Sequence, residues 1–182
     1  VAGLYLLDRD SGDYQYIAMP VESSYINTLY QSADGLLYIG TNGSGVLTYD
    51  HRNKNFVHYY TGNCALVSNN IYTILPEMDG CIIMSTEDGI TSFQIKDKTF
   101  HNRTSEQGLL SACFNPSSGT LCRNGGFVLG STDGAVEFPE KLRFPTYVYK
   151  KMILSDFQIS YQPVYPGDED SPLEKDINET QV

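Results

Sequence analysis

The chain has 182 residues, a formal net charge of −10 and a pI near 4.6. That balance argues against a nucleic-acid backbone as partner, which calls for clustered Lys and Arg, and Lys150-Lys151 is the one adjacent basic pair. Apolar content is 41%, 14 Tyr and 8 Phe supply large buried area, and 16 Gly with 8 Pro and no Trp point to short strands joined by tight turns, an all-β chain.

Residues 1–8 and Tyr14–Ala18 read as two strands around the turn Arg9–Asp13. A first full repeat follows, with strands at 25–31, 36–41, 46–50 and 56–60. A second has strands at 71–75, 81–86, 90–94 and 99–103, after a loop over 61–68. A third starts weakly, with a strand at 112–115 and a turn extended by 116–120, then continues at 128–131 and 135–138. Beyond Pro139 the pattern changes: 147–149 and 152–159 read as strands of a different unit, 162–172 as a Pro- and acid-rich connector, and 173–182 as a polar tail.

The repeats share one phrase. Asp34-Gly35-Leu36-Leu37-Tyr38-Ile39-Gly40-Thr41 runs into Gly45-Val46-Leu47-Thr48-Tyr49, Asp79–Thr86 runs into Gly89–Phe93, and Asn124–Ser131 runs into Gly134–Phe138. A truncated copy, Gly3–Asp8, opens the chain, and Gly3, Gly45, Gly89 and Gly134 recur at 42, 44 and 45 residues. Four antiparallel strands at this period make one propeller blade, so the chain is expected to be a partial β-propeller of about three blades. Tyr49, Phe93 and Phe138 share a register and are expected in the core between blades. The chain begins in mid-repeat, as expected of a piece of a longer protein.

Side-chain chemistry points away from catalysis. His51, His58 and His101 fall in turns or outer strands with no recurring acid or serine beside them. Cys64, Cys81, Cys113 and Cys122 lack CxxC spacing, so no zinc site is expected; Cys113 and Cys122 are read as free thiols or as a bridge. Asp8–Asp13 has the acids of a calcium loop but the wrong glycine and no closing Glu, which favours a hairpin turn. No run approaches the ~18 apolar residues of a membrane span. No catalytic residue, metal or cofactor is expected.

The phrase Asp-Gly-x-hydrophobic-x-hydrophobic-Gly/Ser-Thr/Ser…Gly-hydrophobic-x-x-aromatic resembles the two-component regulator propeller repeat. Met152–Ile159 with Pro163-Val164, Pro166-Gly167 and Ser171-Pro172-Leu173 resembles the lead-in to the Tyr-Tyr-Tyr domain, a small β-sandwich that follows such propellers. The order matches the sensor half of Bacteroides-type hybrid two-component systems. The resemblance implies blades over 1–140 and a linker plus incomplete sandwich over 141–182. It also implies a periplasmic part of an inner-membrane receptor, homodimeric, that senses glycan-derived oligosaccharides and controls polysaccharide-utilisation genes. Its membrane helix, kinase and response regulator would lie outside this chain.

The family offers no ligand motif within the repeat, so candidate ligand-binding residues come from chemistry alone. Aromatic rings stack on sugar faces and amides bind hydroxyls, and inter-blade loops are the natural place for both. Tyr25, Asn27, Asn69, Asn70, Tyr72 and Asn115 are the candidates, with turn capping by Asn69 and Asn70 and packing by Tyr25 as the alternatives. A propeller lyase or hydrolase acting on glycans and a protein-interaction scaffold are the competing readings. An open run of blades is also expected to self-associate through its edges.

Overall fold

The computed structural model describes residues 3–21, 25–78, 80–139, 158–168 and 171–172. A hairpin comes first, β1 (Gly3–Leu7) with β2 (Tyr14–Ala18). Two four-stranded antiparallel sheets follow: β3 (Tyr25–Gln31), β4 (Leu36–Asn42), β5 (Val46–Asp50) and β6 (Asn55–Tyr59), then β7 (Thr73–Met78), β8 (Cys81–Thr86), β9 (Gly89–Gln94) and β10 (Thr99–Arg103). A third sheet holds β11 (Phe114–Leu121), β12 (Phe127–Ser131) and β13 (Gly134–Phe138). These sheets are called blades 1, 2 and 3. The chain divides into two compact units, Val1–Phe144 and Pro145–Val182. In the second, β14 (Gln158–Ile159) pairs with β15 (Gln162–Pro163).

The sheets stack face to face because strand alternation gives each blade two apolar faces. Ile82, Met84 and Phe93 of blade 2 pack against Tyr38 and Val46 of blade 1, with Leu66 and Ile71 of the linking loop between them. Leu75, Ile83 and Ile90 on the opposite face meet Phe114, Phe127, Leu129 and Phe138 of blade 3, with Leu109 of the next link. Ile39, Leu47 and Tyr49 of blade 1 take Leu4 and Ile17 of the hairpin in the same way. The shared aromatic register is buried throughout: Tyr49, Phe93 and Phe138 are 4–5% exposed. Tyr49 and Phe93 lie against Phe56 and Phe100 of the neighbouring strand, with centroids 4.6 and 4.8 Å apart.

The first strands of the blades converge. β7 lies between β3 and β11, and β11 also reaches β3, as strands around one propeller axis do. Ser117 Oγ donates to the Asn27 carbonyl at 3.3 Å across two blades, and the Ser117 N–H reaches the Tyr72 carbonyl at 3.1 Å.

The repeated hydroxyl and glycine form one device. Thr41 is the last residue but one of β4, Thr86 and Ser131 end the second strand of their blades, and each hydroxyl donates to the carbonyl of the glycine beyond the turn, Gly45, Gly89 or Gly134, at 2.7–3.1 Å. In the first two blades the same oxygen accepts a turn N–H, from Ser44 or Asp88. Gly45 (φ 73°) and Gly89 (φ 132°) are required here for two reasons. Their φ is closed to most side chains, and a Cβ would collide with the Tyr59 or Arg103 carbonyl of the fourth strand.

Several expectations shift. The first strand of blade 2 begins at Thr73 rather than Ile71, and its register breaks between Leu75 and Met78, where Pro76 has no N–H for the ladder. The 116–120 segment is strand, not extended turn. β11 slips register between Phe114 and Gly119, with Ser117 at φ 52°, because that stretch bonds to blade 2 as well as to β12. A 3-10 turn at Ser105–Gln107 was not anticipated; Gln107 Oε1 caps the Thr104 N–H at 3.0 Å and Gly108 closes it. The connector opens in a hairpin, because Ser160 and Tyr161 both take the positive φ that a two-residue turn demands. The strands expected at 147–149 and over most of 152–159 lie outside the described residues.

The cysteines are free. Cys113 precedes β11 and Cys122 follows it, opposite Thr132 and Gly126 at the two ends of β12, which puts them about 20 Å apart and beyond disulfide reach. Asp8–Asp13 is a hairpin turn in which Asp8 Oδ1 accepts the N–H groups of Asp10 and Ser11.

Two predictions follow from these turns. Thr86→Val removes a hydroxyl with no exposed surface together with its hydrogen bonds to the Gly89 carbonyl and the Asp88 N–H, so urea denaturation should show a loss of about 1–3 kcal/mol, largely restored by Thr86→Ser. The Ser32 hydroxyl, then the Leu36 N–H, hold the Asp34 carboxyl below its usual 3.8. A depressed folded value stabilises the turn above the unfolded pKa, and that contribution fades as pH falls through the folded one. NMR titration should find Asp34 below 3.8 and find Ser32→Ala moving it back up.

Candidate functional site

The inter-blade loops and the turns between second and third strands share one end of the stacked sheets. The loop from Tyr60 to Tyr72 fastens that end. Asn69 places its carbonyl on the N–H groups of Gly43 and Gly45 at 3.1 and 2.8 Å, and Ile71 N–H bonds the Thr41 carbonyl at 2.8 Å, so the loop docks on the turn of blade 1. Two residues reach the matching turn of blade 2. Ser68 Oγ and Asn70 Nδ2 donate to Glu87 Oε1 at 2.7 and 2.6 Å, and Ser68 Oγ accepts the Asn70 N–H at 3.0 Å. The other carboxylate oxygen, Oε2, is buried without a hydrogen-bond partner among the described residues. One loop therefore ties two blades through a single carboxylate. The next link repeats the contact: Ser111 Oγ donates to Asp133 Oδ2 at 3.0 Å.

The six sequence candidates gather at this end but differ in what they do there. Asn27 sits in the register break between Ile26 and Thr28, and its amide donates to the Ile71 carbonyl at 3.0 Å. Asn69 Oδ1 accepts the Thr61 N–H at 2.9 Å, and Asn70 holds Glu87. These three amides build the loop. Tyr72 is half-buried; burial first, then the Glu87, Cys113 and Asp88 charges, push its phenol above the usual range, so it stays a neutral hydroxyl. Tyr25, 78% exposed, and Asn115, also exposed, carry the accessible surface.

Glu87 and Ser68 were not singled out in the sequence. Their signal was available: an acid one or two residues before the second glycine (Asp133, Glu87) preceded by a serine in the upstream loop (Ser111, Ser68). The histidines serve the scaffold. His58 Nε2 lies 2.6 Å from the Ser44 carbonyl, His51 packs edge-on to Tyr49, and His101 sits exposed on β10.

Residues 20–43, which span the entry to blade 1 and its first two strands, match the two component regulator propeller model. A histidine kinase from Formosa agariphila is 24% identical over 153 residues, 84% of this chain and 11% of the kinase. The extracellular domain of a protein assigned as a hybrid two component system in B. thetaiotaomicron superposes with a TM-score of 0.63 at 19% identity, over 86% of this chain and 26% of that one. Virginiamycin B lyase from Staphylococcus aureus superposes at 0.53 with 11% identity, over 75% of this chain and 48% of the lyase. The chain thus carries a regulator propeller repeat on an all-β blade fold, and it spans a small part of these kinase and sensor relatives.

Glu87→Ala tests the tie between the blades. It removes two charge-assisted hydrogen bonds, so amide exchange at Asn70 and Tyr72 should quicken at least tenfold while the β4–β5 and β8–β9 ladders keep their protection.

Proposed function

We propose that this chain is part of the extracytoplasmic sensor of a hybrid two-component histidine kinase, located in the periplasm, and that the receptor responds to glycan-derived oligosaccharides. The carrying observation is a regulator propeller repeat on stacked blades in a sequence alignable with a histidine kinase. Among the described residues no helix is long and apolar enough to cross a membrane, so these residues are read as a ligand-facing part, with anchoring elsewhere in the receptor.

In this reading the loop end is the receiving surface. Tyr25 offers a ring face and Asn115 an amide at the mouth of successive blades, with Tyr72 as a neutral hydroxyl between them. A ligand across these residues changes how the first strands sit around the axis, and the receptor homodimer converts that change into a signal toward the kinase. The blade fold itself is shared with a lyase, so the fold leaves the chemistry open and the site decides it.

Calorimetry of the complete ectodomain against a broad panel of glycan oligosaccharides should give saturable heat for at least one. A Tyr25→Ala, Asn115→Ala pair should weaken it about tenfold or more. Silence across the panel, or turnover of a bound glycan, would overturn the sensor reading. The hairpin's outward face, with Tyr5, Leu7 and Tyr14 60–72% exposed, should make the isolated 182-residue chain associate; a concentration-independent monomer mass in light scattering would contradict this.

A further inference from the structure

A concave site lies at the other end of the blades. Blade 1 turns Tyr38 of β4, Thr48 of β5, and Val57 and Tyr59 of β6 toward blade 2, and the two sheets part where β5 turns into β6. The gap is a cavity of about 290 Å³, near the lower bound of small-molecule pockets and suited to one ring rather than a chain of them. Its apolar floor is formed by Leu36, Val57, Tyr59 and Ile95 over the buried rings of Tyr38 and Phe93, which are 2% and 4% exposed. Asp34, Asp50, Asn55 and Lys98 stand at its rim.

We infer that this groove binds a single neutral, hydroxyl-bearing ring of pyranose size. The apolar floor suits a ring face, while two carboxylates, an amide and an ammonium at the rim offer both acceptors and donors to hydroxyls. The turn N–H groups on Asp50 and the Ser32 hydroxyl on Asp34 hold both carboxyls below their usual range, so the rim stays anionic at neutral pH. Burial pushes the Tyr59 phenol up, keeping it a donor. Among the lining groups two carboxylates stand against one ammonium, with Arg52 acting on both carboxylates without lining the groove, and this balance disfavours an anionic ring such as a uronate. The inference does not depend on the sensor reading, because its residues lie away from Tyr25, Asn70 and Asn115.

The test is amide NMR of the 182-residue chain titrated with methyl glucoside, methyl galactoside and methyl mannoside, and with the methyl glycoside of glucuronate as the anionic arm. Saturable shifts centred on Asn55, Val57, Tyr59 and Lys98 with at least one neutral glycoside, and at least fivefold weaker binding of the glucuronide, are expected. Val57 is 41% exposed, so Val57→Trp can fill the cavity while the chain stays folded, and it should abolish the shifts. Lys98→Ala, on a turn residue with an exposed side chain, should weaken them and gives a second reading should the tryptophan disturb β6. The proposal is overturned if no neutral glycoside perturbs these amides at tens of millimolar, or if the glucuronide binds as well. It is equally overturned if the shifts fall on the loop end, an outcome that leaves the sensor reading standing.

Discussion

The structure depends on one constraint: each blade has two apolar faces and cannot bury either alone. Blade 2 shows it most plainly. Ile82 and Met84 turn to blade 1 while Ile83, one residue away, turns to blade 3, and all three are at most 3% exposed. A central strand this apolar on both faces requires a neighbour on each side, so stacking fixes the position of every loop.

Stacking alone would let sheets slide, and the polar groups at the loop end prevent it. The repeated Thr or Ser hydroxyl closes the turn within each blade, and the loop after blade 1 fastens that blade's turn to the turn of blade 2 through Asn69, Ser68, Asn70 and Glu87. The residues that look most like ligand contacts in sequence, asparagines in loops, thus serve mainly as ties. Surface chemistry at this end falls to Tyr25, Asn115 and the half-buried Tyr72.

The blades were legible because glycine spacing and strand alternation are local signals. Gly45 and Gly89 mark turns that no other residue fits, and Leu37, Ile82 and Phe127 mark one register across three sheets. What escaped was set by contacts between blades. Ser117 joins a strand because Tyr72 of the preceding blade accepts its N–H, and nothing near Ser117 in sequence announces that. Glu87 escaped for the same reason: its partners Ser68 and Asn70 come from the upstream loop, and its role appears only when two turns are side by side. The roles of Asn69 and Asn70 were open between capping and binding until the loop's path fixed their partners.

The central claim is that successive blades share one axis, which brings their loops to one end. Its most direct test is a nuclear Overhauser contact between Asn27 and Ser117, 90 residues apart and joined at 3.3 Å. The account predicts that contact alongside the ladder contacts within each sheet. Intact ladders without it would mean that the blades fold separately and do not share an axis.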